Sequence, residues 1–386
     1  MKTKKYILLF MIISNIFAYT SEKFMLDFKN DDLFKIIVRS NYKIYKNTKY
    51  FGLTSRELKG IFKVKNIDND QYMISGDVYT IEKTIRGSMV LPNQVNSIEK
   101  STMYFSKDGT LIERSGSLFP PIQGFPFFPE NELEINDIYS GSGFFNIPLY
   151  NEKMSIDIPI NFNAQYKGDS NLNGENYSLF EQSFFIDYKP DEINKDFKGR
   201  HIVKMFFDNT TGRPIYMDDR FEDQIQSDDG DIIQYKGFYL YFYNRIQSLQ
   251  KKTIVPTIKI KTEDGFVNES EKGISITLNN LHFLPDSTEI VDSDKALLES
   301  VFTTLNEIKD RSFLVVGHTA DTGNPEAEKK LSEERALSIA QYFQMKGIRQ
   351  DKLLFTGKGA LEPIASNDTE ENKRKNRRVE IIILED

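Results

Sequence analysis

Few residues in this chain are of types that do covalent chemistry. There is no cysteine, so disulfides, thiolate metal sites and a cysteine nucleophile are excluded. The three histidines, His201, His282 and His318, are scattered. His282 and His318 could be neighbours in a sheet, but a metal centre needs a third ligand, so core or sheet-edge histidines are expected. Acidic residues are plentiful, yet nothing orders a pair of them for acid–base work. A lone serine beside a distant histidine is no triad. Asp169, Asn171, Asn173 and Gly174 echo the start of a calcium loop, but the final ligand position falls on Phe180, with Glu181 one place late. A polar hairpin loop is expected there. The chemistry on offer is therefore non-covalent: not an enzyme, with no metal and no cofactor.

The elements that must position these side chains fall into two textures. Residues 21 to about 250 read as antiparallel β. In Ser155 to Tyr166, Ile156, Ile158, Ile160, Phe162, Ala164 and Tyr166 share one face and Asp157, Asn161, Asn163 and Gln165 the other. That is the period-two pattern of a strand with one buried face. Glu181 to Tyr188 and Ile232 to Tyr243 are similar. Turn signals recur at Lys107-Asp108-Gly109-Thr110, Asn173-Gly174, Thr211-Gly212-Arg213-Pro214 and Asp228-Asp229-Gly230-Asp231. Phe119-Pro120-Pro121 and Phe125-Pro126-Phe127-Phe128-Pro129 form an apolar loop, read as a lid over the β-domain and, alternatively, as a membrane- or partner-contacting loop. Residues 251–272 are charged and punctuated, and read as a linker with a short strand at Thr257 to Lys261.

Beyond residue 272 strands and helices alternate. Strands are expected at Ile274–Leu278, Phe313–Val316, Leu353–Thr356 and Val379–Leu384, with helices at Ser293–Ile308, Asn324–Lys346 and Glu370–Asn376. The long helix is firmly punctuated. Asn324 can cap it, Pro325 suits its first position, and Gly347 can end it in a left-handed conformation. The expected fold class is α+β: an N-terminal antiparallel β-rich domain (21–250), a linker (251–272), and a C-terminal α/β sandwich (273–386) in the order β-α-β-α-β-α-β.

The first twenty residues read as a secretory leader. Lys2, Lys4 and Lys5 precede an apolar stretch from Tyr6 to Phe17, and Ala18-Tyr19-Thr20 supplies a cleavage site. With no cysteine, lipoprotein anchoring is excluded. The net charge of −7 and the lack of a basic face argue against nucleic acid. The 30 phenylalanines and 19 tyrosines suit sheet-rich cores.

The C-terminal part carries a resemblance. Phe283 with Asp286, Ser287 or Thr288, and Ile290 comes first. Next come Gly317-His318-Thr319 and Leu331-Ser332 with Arg335-Ala336. Gly357, Gly359, Pro363, Asn367, Asn376, Arg377, Arg378 and Val379 close the series. In this order they resemble the OmpA-like peptidoglycan-binding domain. The resemblance implies a pocket between the loop after the second strand and the helix that follows. That pocket would hold the diamino acid of a peptidoglycan stem peptide. Arg335 would grip a carboxylate, and a loop aspartate would meet an ammonium. A zwitterionic end needs one cation and one anion at fixed separation, and a guanidinium grips carboxylate in bidentate fashion. The site residues carried over are Arg335, Asp321, Thr322, Thr319 and Arg378.

The chain also departs from the family pattern. Ala320 stands where an aspartate is usual, with Asp321 one residue late, Leu284 replaces another aspartate, and Glu328 falls where asparagine is common. Three readings stay open: Asp321 turns inward as a substitute, the pocket fits another diamino acid such as ornithine, or the domain has become a scaffold. The implied role is an exported periplasmic or outer-membrane protein tethering the envelope, or envelope protein partners, to the wall. Two alternatives concern the β-domain: an integral outer-membrane barrel or pore, and a periplasmic domain that binds lipid or a partner. Ser155–Tyr166 has the uniform apolar face a membrane strand needs, whereas residues 60–67 and 72–85 do not.

Overall fold

The computed structural model describes residues 21–68, 70–82, 92–117, 119–124, 126–148, 155–190, 195–227, 229–246, 265–270, 273–279, 281, 290–308 and 311–384. The expected leader, Phe125, the strand expected at Thr257–Lys261, His282, and the segment carrying Phe283, Leu284, Asp286, Ser287 and Thr288 lie outside the described residues.

The N-terminal domain is an antiparallel meander that rolls up on itself. Its strands are β1 (Leu33–Lys46), β2 (Lys49–Asn66), β3 (Gln71–Glu82), β4 (Asn93–Ser106), β5 (Leu111–Gly116), β6 (Ile122–Gln123), β7 (Ile138–Pro148), β8 (Ser155–Leu172), β9 (Glu175–Tyr188), β10 (Lys195–Asp208), β11 (Arg213–Ser227) and β12 (Ile232–Ile246). The hairpin turns fall at Asn173-Gly174 and at the other glycine- and aspartate-rich sites the sequence marks, with Gly109, Gly174, Gly212 and Gly230 at positive φ. Each strand but β5 pairs antiparallel with the next, and β1 closes on β12 along their whole length. Among the described residues the ladder is broken only between β5 and β6. That seam is stitched by a side chain: Arg114 on β5 donates to Gln123 on β6 and to Asp157 on β8, and its guanidinium lies 4.6 Å from the Phe144 ring. The result is a nearly closed barrel.

The interior of this barrel is mostly apolar. On β1, Phe34, Ile36, Val38, Tyr42 and Ile44 are buried, while Lys35, Arg39 and Lys43 face out. On β10, Phe197, Val203, Met205 and Phe207 point in, and Lys198, Arg200 and Lys204 point out. Aromatic rings meet across the lumen, as Phe145 on β7 and Tyr239 on β12 do at 6.1 Å between centroids. A membrane-spanning barrel needs the reverse arrangement, with a continuous apolar belt outside. This corrects the reading of Ser155–Tyr166 as a passable membrane strand, because Ile158, Ile160, Phe162, Ala164 and Tyr166 are all buried in the lumen. Alternation tells which side chains share a face, not which face meets solvent. The proline-rich loop packs as a lid: Phe119 and Phe128 are buried in the same core.

The C-terminal domain is a mixed sheet with helices on one side. It contains β13 (Gly265–Ser270), β14 (Gly273–Asn279), α1 (Asp292–Glu307), β15 (Phe313–Gly317), α2 (Pro325–Met345), β16 (Leu353–Gly357), α3 (Glu370–Asn376) and β17 (Arg378–Ile383). The sheet order is β13-β14-β17-β15-β16, with only β15 and β16 parallel to one another. Two corrections follow. Residues 265–270, read as linker, form an edge strand, with Val267 packed on the core. The chain as a whole is mostly β, with the α/β layer confined to its last third.

One face of the small sheet meets α1 and α2 through Ile276, Val315, Phe355, Ile381, Leu298, Val301 and Ile339. The barrel covers part of the opposite face. Leu314, Val316, Leu354 and Leu384 pack on Tyr79, Ile81 and Val95 from the barrel wall. The start of β4 continues the small sheet, Asn93 and Gln94 pairing parallel with Leu354 and Phe355 on β16. Lys59, buried under this contact, donates to Ser312 Oγ at 3.2 Å.

Candidate functional site

The site is built at the C-terminal end of β15, where the chain crosses into α2. His318 N–H donates to Arg378 O and Thr319 N–H to Gly359 O, both at 2.9 Å. These bonds pin the loop between β17 and the turn after β16. The close approach of α2 requires glycine: a Cβ on Gly317 would lie 2.1 Å from Ser332 O, and one on Gly357 2.3 Å from Ser332 Oγ. Ser332 Oγ in turn accepts from Gly359 N–H at 2.9 Å.

Asn324 caps α2, its side chain accepting from Ala327 N–H at 3.2 Å, and Pro325 occupies the first turn. Glu328, one turn in, is buried and reaches back over the loop. Its Oε1 accepts from Thr322 N–H at 2.6 Å, Thr322 Oγ1 at 2.8 Å and Asn324 N–H at 3.3 Å. The Thr322 N–H, above all, holds this carboxyl below the usual range. Thr322 is thus engaged in turn chemistry, its hydroxyl committed to Glu328.

Asp321 is exposed and does not turn inward. Its Oδ1 accepts from Gly323 N–H at 2.9 Å, and its own N–H donates to Asn367 Oδ1 at 3.2 Å. Asn367 is held by the fully buried Asn376, whose Nδ2 donates to it at 3.0 Å. Asn376 Oδ1 accepts from Ile364 and Ala365 N–H. The loop is therefore fixed from below by asparagines on the α3 side. Thr319 is buried, and its Oγ1 has no hydrogen-bond partner among the described residues. Ala320 is buried as well.

Arg335 follows Glu328 by seven residues, two turns of α2, so the two share a helix face. It is half-buried. Burial first, and the positive charge of Arg377 second, push its guanidinium pKa down. A guanidinium stays protonated in proteins, so Arg335 keeps its charge in a partly desolvated place within electrostatic reach of Arg377. Such a place favours an anion.

Arg378 does something else. Val379, Ile381 and Ile383 on β17 pack toward the helices, and Arg378 shares the opposite face with Glu380 and Ile382. It is buried there, its Nε donating to Glu380 Oε1 at 2.7 Å and its Nη2 to Glu362 O at 3.1 Å. Arg378 is thus engaged on the barrel-facing side of the sheet, and Arg377 is the tail arginine whose charge acts on Arg335. The parity of a strand decides this, and the start of β17 could not be fixed from sequence to one residue. Sequence reasoning had Arg377 only as one of two tail arginines near the pocket and Glu328 only as an altered pocket position, and it left Asn367 and Asn376 without a role. The Asn376-Arg377 motif itself was the available signal.

The fold and site define an OmpA-family domain: residues 282–377 match the model of that family. Among curated proteins, outer membrane protein A of Bordetella avium is 38% identical over 99 residues, which are 26% of this chain and 51% of the relative. The peptidoglycan-binding protein ArfA of Mycobacterium bovis is 33% identical over 109 residues, 28% of this chain and 33% of that protein. The chain thus spans about half of one of these relatives and a third of the other. Among solved structures, an outer membrane protein from Borrelia burgdorferi B31 aligns at 31% identity over 31% of this chain and 96% of that one, with a TM-score of 0.26.

Proposed function

We propose that the protein is an exported cell-envelope component that binds peptidoglycan non-covalently through its OmpA-like domain. The observation that carries this reading is the half-buried Arg335 on the α2 face it shares with Glu328, whose carboxylate holds the loop together with Asn367, with Arg377 within electrostatic reach. A carboxylate of a stem peptide is the ligand Arg335 fits, gripped in bidentate fashion. Asp321, exposed at the rim, supplies the counter-charge for an ammonium. Because Asp321 bonds its own turn and stays outside, its carboxylate meets an ammonium further from the arginines than an inward aspartate at position 320 would. A stem peptide carrying ornithine, or another diamino acid with a differently placed ammonium, suits that geometry. The barrel packed on the back of the sheet would then be held near the wall, joining an envelope assembly to it.

The test is sedimentation of the whole protein with purified peptidoglycan of the diaminopimelate and ornithine types, native and Arg335→Ala. Retention that falls with Arg335→Ala supports the reading, and the preferred wall identifies the diamino acid. No retention on either wall, with the protein folded, overturns it.

A further inference from the structure

The segment before β1 crosses one end of the barrel. Phe24, Leu26 and Phe28 are buried. Leu26 N–H donates to Lys107 O at 2.7 Å, Asp27 N–H donates to Gly212 O at 3.0 Å, and Tyr72 Oη donates to Leu26 O at 3.2 Å. Beneath this strap lies a cavity of about 390 Å³. Its inner wall is Phe28, Phe34, Ile36, Ile74, Met103 and Phe105. Packed interiors keep few voids larger than a water molecule, whereas pockets that take small molecules start near 300 Å³ and are mostly apolar with a few placed polar groups.

The polar groups stand at the mouth. Asp32 does not line the cavity but is buried behind two cations that do, and its carboxylate is saturated: Oδ2 accepts from Arg213 and from Lys29 N–H, and Oδ1 from Arg245 at 3.2 Å. Asp208, on the adjoining turn, is equally occupied by the N–H and hydroxyl groups of Thr210 and Thr211. Asp27 is the remaining acid and is exposed. The cations are placed differently. Arg213 is largely buried, lies 5.3 Å from the Phe28 ring, and has a buried Nε with no hydrogen-bond partner among the described residues. Arg245 makes one long contact to Asp32 and is 69% exposed. The donor capacity still on offer at this mouth is cationic, and the space behind it is hydrocarbon-like.

We propose that this cavity takes the alkyl chain of an anionic single-chain amphiphile, with its head group at Arg245 and Arg213. A fatty acid is the simplest member of the class. The chain displaces no protein hydrogen bond in the apolar pocket, and the head group gains charge-assisted bonds at the rim. The barrel is then a carrier or sensor of membrane-derived amphiphiles, in addition to whatever the C-terminal domain holds.

Isothermal titration of the whole protein with dodecanoate, dodecanol and dodecylammonium tests this. Saturable binding of dodecanoate is expected, roughly tenfold or more tighter than of the alcohol, and tighter than of the amine. Arg245→Gln, at an exposed position, should remove most of the preference for the acid over the alcohol. Met103→Trp, which fills the cavity, should abolish binding of all three while the far-ultraviolet circular dichroism stays native. No saturable dodecanoate binding, equal affinity for the three head groups, or undiminished binding to a folded Met103→Trp protein would each overturn the proposal.

Discussion

His201 on β10 and Asp219 on β11 form a fully buried ion pair in the barrel lumen, Nδ1 donating at 2.9 Å to the carboxylate. Nε2 donates to Asp223 at 3.2 Å, and Phe184 and Phe221 stack on the ring from either side. Burial alone would push the imidazole pKa down. The two carboxylates outweigh it and push the pKa up to about 10. The folded state therefore keeps a proton that the unfolded chain, titrating near 6.5, gives up. The stability so contributed is fully present below about pH 6.5 and is lost as pH rises toward 10. We expect the melting temperature to fall across that window, and the His201 ring to show imidazolium nitrogen shifts at pH 8. Shifts of a neutral ring at that pH would refute the assignment.

Removing one partner of such a group leaves a charge stranded among phenylalanines. Asp219→Ala should therefore cost about 3–5 kcal/mol, measured by urea unfolding at neutral pH. An exposed pair offers the contrast. Glu181→Ala, which removes the partner of Lys204 on the outer wall, should cost less than about 1 kcal/mol. Equal costs would mean that the lumen is far wetter than its side chains imply.

The interface between barrel and C-terminal sheet gives a third expectation. Val316 is buried against the barrel wall, in the cluster with Tyr79 and Ile81. Val316→Asp places an unpaired carboxylate there without entering the helix-side core, a change that disfavours docking by several kcal/mol. Calorimetry should then resolve two transitions where the native protein has one. A single, merely lower transition would show that the two domains do not unfold independently.

These features were unequally legible in the sequence. The helix caps were readable because they are local: Asn324, Pro325 and Gly347 act within a few residues. The turn glycines were readable for the same reason. Barrel closure was not, since the pairing of Leu33 with Ile246 joins residues that share no sequence signal. Nor was the inward direction of the apolar faces, which depends on closure. The buried His201 cluster was invisible as a unit, because its carboxylates come from the next strand and are assembled by register alone. At the candidate site the motif located the loop and Arg335. It could not show that Glu328 would be consumed by Thr322, because that requires knowing how the loop turns back over the helix.

Glu328 yields a fourth expectation. Its carboxylate organises the loop by accepting from Thr322 and Asn324, and its pKa is lowered for that reason. A lowered carboxylate contributes stability that is present above its unfolded pKa, near 4.3, and lost as pH falls through the folded value. Glu328→Gln keeps the shape but weakens charge-assisted bonds. It should loosen amide protection at Thr322 and Asn324, read by hydrogen exchange, while leaving the β15 amides protected. Unchanged protection in the loop would remove Glu328 as its organiser.

The arginine pair at the end of α3 separates the binding role from the structural one. Arg377 is partly exposed, contacts Glu370 at 3.5 Å, and its charge helps push the Arg335 pKa down. Arg378 is buried in a bond to Glu380 on the other side of the sheet. If wall binding uses the Arg335 side, Arg377→Ala should lower retention on peptidoglycan roughly tenfold or more, for loss of one charge-assisted contact, with little change in melting temperature. Arg378→Ala should do the opposite: it strands Glu380 near the barrel and lowers stability by about 1–3 kcal/mol, while the folded fraction still binds. Adding salt should weaken native retention more than it weakens that of Arg377→Ala, because one fewer cation remains to be screened. The reverse pattern, with Arg378→Ala folded but unable to bind, would move the ligand to the barrel-facing side of the sheet.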